Sequence, residues 1–75
     1  MTDTIAMACF PTPVIEAQMR ERGFEPSSEG ADLDGDVWRI HTRLDGMWML
    51  TLWVKDKPVA CVVAGGPKWR AGRML

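Results

Sequence analysis

The stretch DGMWMLTLWV, residues 45–54, decides the fold of this 75-residue chain. Asp-Gly is the strongest short signal for a two-residue β-hairpin turn, and the eight residues after it include seven apolar ones. The preceding stretch, DVWRIHTRL, alternates between apolar and polar residues. We therefore predict that strands 36–44 and 47–54 pair antiparallel.

The residues that follow this hairpin predict a third strand. KDKP, residues 55–58, has the composition of a turn, and VACVVA, residues 59–64, is rich in β-branched side chains. GGP, residues 65–67, predicts the end of the strand, because glycine weakens a strand and proline cannot donate to a ladder. TIAMACF, residues 4–10, suits either an edge strand or a lid across the sheet, and both alternatives stay open.

One helix is predicted upstream of the sheet. Thr12 is the expected N-cap, and Pro13 suits the first helical position because its missing N–H costs nothing there. Gly23 is the expected C-terminal stop. The spacing of Ile15 and Met19 places both on one stripe, which we expect to dock on the sheet because a helix this short is not stable alone.

The predicted fold class is α+β. One N-terminal helix packs on a three-stranded antiparallel meander in the order α-β-β-β, with a fourth strand if residues 4–10 join the sheet. EPSSEGADLDG, residues 25–35, is predicted to be a solvated loop because it is rich in Pro, Gly, Ser and acids. A chain of this length forms one domain, 1–75, with the segment 1–11 and the basic tail 67–75 at its periphery.

The predicted turn at Asp45 and Gly46 also assigns side chains to faces, because side chains alternate along a strand. One face is expected to carry Trp38, Ile40, Thr42, Leu44, Met47, Met49, Thr51 and Trp53. The opposite face is expected to carry Arg39, His41, Arg43, Trp48, Leu50 and Leu52. A ten-residue helix about 15 Å long covers only one of these faces. The chain's own terminal segments, a second copy or another protein are the alternatives for the second.

Composition and charge are those of an ordinary globular protein. The chain is 47% hydrophobic and 25% charged, with a formal net charge of −1. Residues 1–38 hold eight acids and two bases, and residues 39–75 hold two acids and seven bases, so the two halves differ in sign. The start MTDTIAMACF has no base and only a short apolar run, which predicts neither a signal peptide nor a membrane span, and hence a cytoplasmic location.

No residue pattern indicates catalysis or a bound metal. Cys9 and Cys61 match neither a disulfide framework nor a zinc ligand set, and we expect two reduced, buried thiols. His41 is the single histidine and has no cysteine and carboxylate cluster beside it in the sequence. We therefore predict a protein that is not an enzyme and carries no cofactor.

The candidate partner-binding residues are basic and aromatic. Arg39, His41 and Arg43 alternate along one strand, and Trp48 is expected beside Arg43, where a cation–π contact would hold the pair. The tail adds Lys68, Trp69 and Arg70.

These observations favour a small non-enzymatic binding protein that acts by protein–protein interaction, through a surface of Trp, Met and Arg side chains. Self-association as a homodimer is one form of it. Cofactor-free domains of this size are often carried by phages and mobile elements, where they inhibit a larger host complex, as anti-CRISPR proteins do. No motif of that group is present, so this part of the prediction rests on size and on the lack of other sites.

The alternative function is a small nucleic-acid-binding domain that uses Arg39, Arg43, Trp48 and the tail as a basic and aromatic strip. The order of one helix and three strands resembles the first four elements of a double-stranded RNA-binding domain. That resemblance implies RNA as the ligand, but the lysine-rich second helix of the family has no counterpart in the ten residues after position 65.

Overall fold

The fold is that of a computed structural model, which describes residues 7–68. The described chain forms one helix and a five-stranded antiparallel sheet, so the predicted α+β class is confirmed. The elements are β1 (Ala8–Pro11), α1 (Thr12–Glu21), β2 (Glu25–Ala31), β3 (Val37–Thr42), β4 (Trp48–Trp53) and β5 (Val59–Gly66). No helix within this part of the chain is long and apolar enough to cross a membrane.

The sheet has the strand order β1-β5-β4-β3-β2, and the prediction of three or four strands was therefore wrong. Ala8–Pro11 pairs with β5, so this part of the N-terminal segment is an edge strand rather than a lid. The predicted loop 25–35 was also wrong over Glu25–Ala31, which pairs with β3. This segment lacks the β-branched and aromatic residues that favour strands. Its strand conformation comes from backbone pairing with β3, and the pairing contains a bulge at residue 27.

The β3–β4 hairpin forms where predicted, but its register is shifted by one residue. Arg43 N–H donates to Met47 O at 2.9 Å, and Gly46 N–H donates to Arg43 O at 3.0 Å. Gly46 has a φ of 92°, so residues 44–46 form a three-residue loop that closes on a left-handed glycine, instead of the expected two-residue turn. Every side chain of β3 consequently points to the face opposite to the predicted one.

The corrected register pairs Arg39 with Thr51 and His41 with Met49, and these residues share a face with Trp53. Trp38 and Ile40 lie on the opposite face of the sheet from Arg39 and His41. They pair with Leu52 and Leu50, on the face that also carries Trp48. Arg39, His41 and Arg43 therefore lie on the other side of the sheet from Trp48.

Strand β5 extends two residues beyond its predicted end. Gly65 pairs with Met49 and Gly66 pairs with Trp48. A Cβ added at Gly65 would lie 3.1 Å from Trp48 O, and one added at Gly66 would lie 3.3 Å from Trp48 Nε1. These glycines therefore permit a close approach of β5 to β4 rather than ending the strand.

Helix α1 covers the face of Arg39, His41 and Trp53. Ile15 and Met19 are buried, as predicted, and form the core with Phe24, Ala60, Met49, Trp53 and Val62. The expected N-cap was wrong: Pro11 is the cap residue and no side chain caps the helix. Thr12 is instead the first helical residue, and its N–H donates to Pro58 O at 3.0 Å.

A disulfide joins Cys9 to Cys61, so the prediction of two reduced thiols was wrong. The two cysteines lie directly opposite each other in the β1–β5 ladder, a proximity that 52 residues of separation conceal in the sequence. Disulfides persist mainly in oxidising compartments. The predicted cytoplasmic location has no support from this bond and stays a prediction.

Candidate functional site

The two faces of the sheet differ in what covers them. We call the side that carries Trp38, Ile40, Leu50 and Leu52 the open face, because no helix or strand between residues 7 and 68 packs on it. All four side chains are half-buried. The disulfide lies on the same side, because Cys61 pairs with Leu52.

The predicted partner-binding residues do not form one strip. Arg39 and His41 lie on the helix-covered face, and Trp48 lies on the side of the open face. Lys68 is exposed after β5, with its backbone close to Gly46 in the β3–β4 loop. The remaining two predicted residues, Trp69 and Arg70, are outside the described residues.

Both arginines of the predicted strip have acidic and aromatic neighbours within the chain. Arg39 donates from Nε to Glu29 at 2.9 Å, and its guanidinium lies 4.6 Å from the centre of the Trp53 ring. Arg43 pairs with Asp45 at 3.0 Å and lies 5.5 Å from the centre of the Phe24 ring. The expected contact of Arg43 with Trp48 is therefore wrong, because the register shift puts the two on different sides.

A polar network lies beneath the helix. Thr51 is fully buried, and its Oγ1 is 2.7 Å from Trp53 Nε1, 2.9 Å from His41 Nε2 and 3.3 Å from Arg39 O. Thr51 thus links two strands and orients both the indole and the imidazole.

His41 is the buried ionisable group of this network, with 3% of its surface exposed. The pKa of His41 is lowered from its ordinary value, mainly because burial disfavours the imidazolium and also because the Arg39 cation is near. The neutral form of the ring therefore predominates at pH 7. Its Nδ1 atom is buried and has no hydrogen-bond partner among the described residues.

Arg39, His41 and Trp53 lie at one side of a groove of about 460 Å³ between the end of α1 and strands β2–β4. We call it the helix-side groove. Its lining consists of Glu16, Met19, Arg20, Gly23, Phe24, Glu25, Pro26, Arg39, His41 and Trp53. Its volume is in the range of small-molecule sites, about 300 to 1,000 Å³.

A second groove, of about 320 Å³, lies between α1 and β1 and is mainly apolar. Phe10 and Val14 line it and are 44% and 43% exposed. Among residues 7–68, Arg22 is the only charged residue in its lining.

The described residues contain no group of three or more His, Cys, Asp or Glu side chains that could hold a metal ion. In the acidic loop that joins β2 to β3, the Asp32 carboxylate accepts hydrogen bonds from Trp38 Nε1 at 2.9 Å and from two backbone N–H groups. The bond from Trp38 is the main reason that the pKa of Asp32 is lowered. This carboxylate therefore stabilises the loop to which it belongs.

Sequence reasoning missed the neighbours of His41, namely Thr51 at 2.9 Å and Trp53, whose ring centre lies 6.4 Å from that of the imidazole. The available signal was Thr51, the single polar residue between Trp48 and Trp53, but its interpretation required the correct register. Comparisons of the chain with protein-family models, with curated proteins and with solved structures gave no match.

Proposed function

We propose that the protein is a non-enzymatic protein-binding domain whose docking surface is the open face. The observation that carries this proposal is the set Trp38, Ile40, Leu50 and Leu52, which forms a contiguous apolar surface without a covering element in the range 7–68. Monomeric proteins rarely leave such a surface in water. Tryptophan also contributes more than most residues to protein interfaces.

The first partner we expect on the open face is a second copy of the chain. The face carries no charged side chain at its centre, so its own image meets no repulsion there. Five strands of six residues measure about 24 Å by 20 Å, or roughly 1,000 Å² for two copies, at the lower end for specific complexes. Two sheets stacked in this way would form a sandwich.

Light scattering at concentrations from about 1 µM to 1 mM, the range of weak complexes, tests this association. We expect a mass that rises from monomer to dimer, and a monomer throughout for Leu50→Lys, because a buried lysine has no partner in the interface. Leu44→Lys is the matched control, because Leu44 is fully exposed in the β3–β4 loop.

Two outcomes would count against the proposal. One is a monomeric wild-type protein throughout this range. The other is loss of folding in both Leu50→Lys and the milder Ile40→Thr variant, since the open face would then be an internal core. We also predicted that this protein is encoded by a phage and inhibits a larger host complex. That stays a prediction.

The nucleic-acid alternative receives less support from the contacts on the helix-covered face. Both candidate arginines already have a carboxylate partner, Glu29 for Arg39 and Asp45 for Arg43. Phosphate binding would have to compete with these pairs. The alternative requires an affinity for RNA or DNA that falls steeply with salt and is weakened by Arg39→Ala.

A further inference from the structure

We propose that the groove between α1 and β1, which we call the β1-side groove, binds the anion of a linear free fatty acid. The alkyl chain lies along the helix, and the carboxylate meets Arg22 at one end of the groove. This activity does not depend on association through the open face, which is on the other side of the sheet. It follows from the apolar floor of the groove, its length along α1 and the position of its single charge.

The floor of the β1-side groove is apolar and belongs to the core. Ile15 and Met19 are buried core residues, and Met49 and Val62 are packed against them. Phe10, on β1, also lines the groove and leaves 44% of its surface in water. An alkyl chain that covers this surface gains hydrophobic burial, and the thioether side chains of Met19 and Met49 adapt to its shape.

The helix side of the groove changes from apolar to cationic along its length. Val14, Gln18 and Arg22 all line it, and their spacing of four residues places them on successive turns of one side of the helix. The first and the last are separated by about 12 Å along the helix axis. An elongated ligand with an apolar chain and one polar end matches this order, whereas a compact ring system does not reach from Val14 to Arg22.

The charge at the end of the groove identifies the polar group. Arg22 is exposed, and its guanidinium makes no ion pair or hydrogen bond with another side chain of residues 7–68. An arginine fork binds a carboxylate through two parallel hydrogen bonds, and the amide of Gln18, one turn away, is a further donor. One guanidinium balances the single charge of a carboxylate but not the roughly two charges of a phosphate monoester.

The apolar contact is tested by titrating the protein with hexanoate, octanoate and decanoate, each below the concentration at which it forms micelles. We expect about tenfold tighter binding at each step, because every added methylene that leaves water contributes a similar free energy. The methyl resonances of Met19 and Met49 should shift, whereas that of Met47, outside the lining, should not. Undetectable binding of decanoate, or an affinity independent of chain length, would overturn the proposal.

The carboxylate contact is tested with two arginine variants of the same helix region. Arg22→Gln should weaken the binding of decanoate about threefold, as for one exposed charge pair, and leave the binding of uncharged decanol unchanged. Arg20→Gln is the matched control, because Arg20 is exposed on α1 but lies outside this lining. Equal effects of the two variants would show that Arg22 does not bind the carboxylate.

Val14→Asp tests the location of the alkyl chain. The chain then meets a charge that loses its hydration, and we expect decanoate to bind at least tenfold more weakly. The variant should fold, because an acid in the first turn of a helix interacts favourably with the helix dipole. Ala17→Asp adds the same charge to α1 outside the lining and should leave the affinity unchanged. Equal affinities of these two variants would place the ligand elsewhere.

A second copy of the chain is the competing occupant of the β1-side groove. It predicts a dimer that Val14→Asp dissociates and Leu50→Lys does not, together with no binding of decanoate, and that result would contradict the proposal. We expect instead that Leu50→Lys binds decanoate with the affinity of the wild-type protein, because Leu50 lies on the open face.

Discussion

The two faces of the sheet are stabilised by different means. On the helix-covered face, α1 seals an apolar core around Met49 and Trp53, and Thr51 binds His41 within it. On the open face no covering element is found between residues 7 and 68, and a disulfide ties β1 to β5 there. A chain of this size rarely obtains enough stability from one core, and the disulfide provides the additional constraint.

The largest expected effect comes from removing that disulfide. We expect Cys9→Ala/Cys61→Ala to lose about 4 kcal/mol of unfolding free energy, the loop-entropy value for a cross-link across 52 residues. Denaturant unfolding measures this loss. A reducing agent should destabilise the wild-type protein and leave the double variant unchanged. Equal stability of the two proteins would show that the covered face alone sustains the fold.

Alanine substitutions compare the packing of the two sides directly. Ile15→Ala, beneath the helix, should cost about 3 kcal/mol, because Ile15 is 3% exposed and the change leaves a cavity. Leu50→Ala, on the open face, should cost about 1 kcal/mol in the monomer because that side chain is half-buried. Both are measured at low protein concentration. Similar losses would mean that the two faces are packed equally well.

The buried imidazole makes the stability of the covered side depend on pH. Because the pKa of His41 is lowered in the folded state, the unfolded chain binds more protons below its ordinary pKa of 6.5. Stability should be complete above pH 6.5 and fall below it, by at most about 1.4 kcal/mol per pH unit, until the folded-state pKa is reached.

Denaturant unfolding from pH 8 to about 5 isolates this term, because the pKa of Asp32 is lowered from 3.8 and its stabilising charge is lost only at more acidic pH. His41→Gln should flatten the profile. A profile that keeps its slope in this variant would assign the pH dependence to other groups.

The smallest expected effect concerns the contact between Arg39 and Trp53 at the edge of the covered face. A double-mutant cycle with Arg39→Met and Trp53→Leu should give a coupling of about 0.5 to 1 kcal/mol, the usual range for a partly exposed cation–π pair. The Glu29→Gln variant serves as control for the ion pair of Arg39. Zero coupling would mean that Arg39 acts only through Glu29.

The sequence signals that depend on neighbouring residues predicted the structure well. The helix with Ile15 and Met19 inward, the β3–β4 hairpin and a strand beginning at Val59 all form as expected. Their periodicity and turn residues act within a few positions of the chain.

The strand β2 could not be predicted in the same way. EPSSEGA has the composition of a loop, and its strand conformation comes from pairing with β3. The disulfide is equally dependent on distant residues, because Cys9 and Cys61 meet only when β1 joins the edge of β5.

The candidate site shows the same division at the level of single residues. The sequence selected Arg39 and His41 but grouped them with Trp48, Leu50 and Leu52, because Asp45 and Gly46 predict a two-residue turn whereas the glycine closes a three-residue loop. The two loops differ by one residue in register, and this difference decides whether His41 shares a face with Leu50 or with Met49 and Trp53.

By itself, then, the sequence determined an α+β chain with one docked helix, a hairpin and an apolar strand, because periodicity and turn chemistry are local. The tertiary structure decided the number of strands, the disulfide and the side of each β3 residue, because pairing and register depend on contacts between distant segments. For DGMWMLTLWV this places Met49, Thr51 and Trp53 under the helix and Leu50 and Leu52 on the open face.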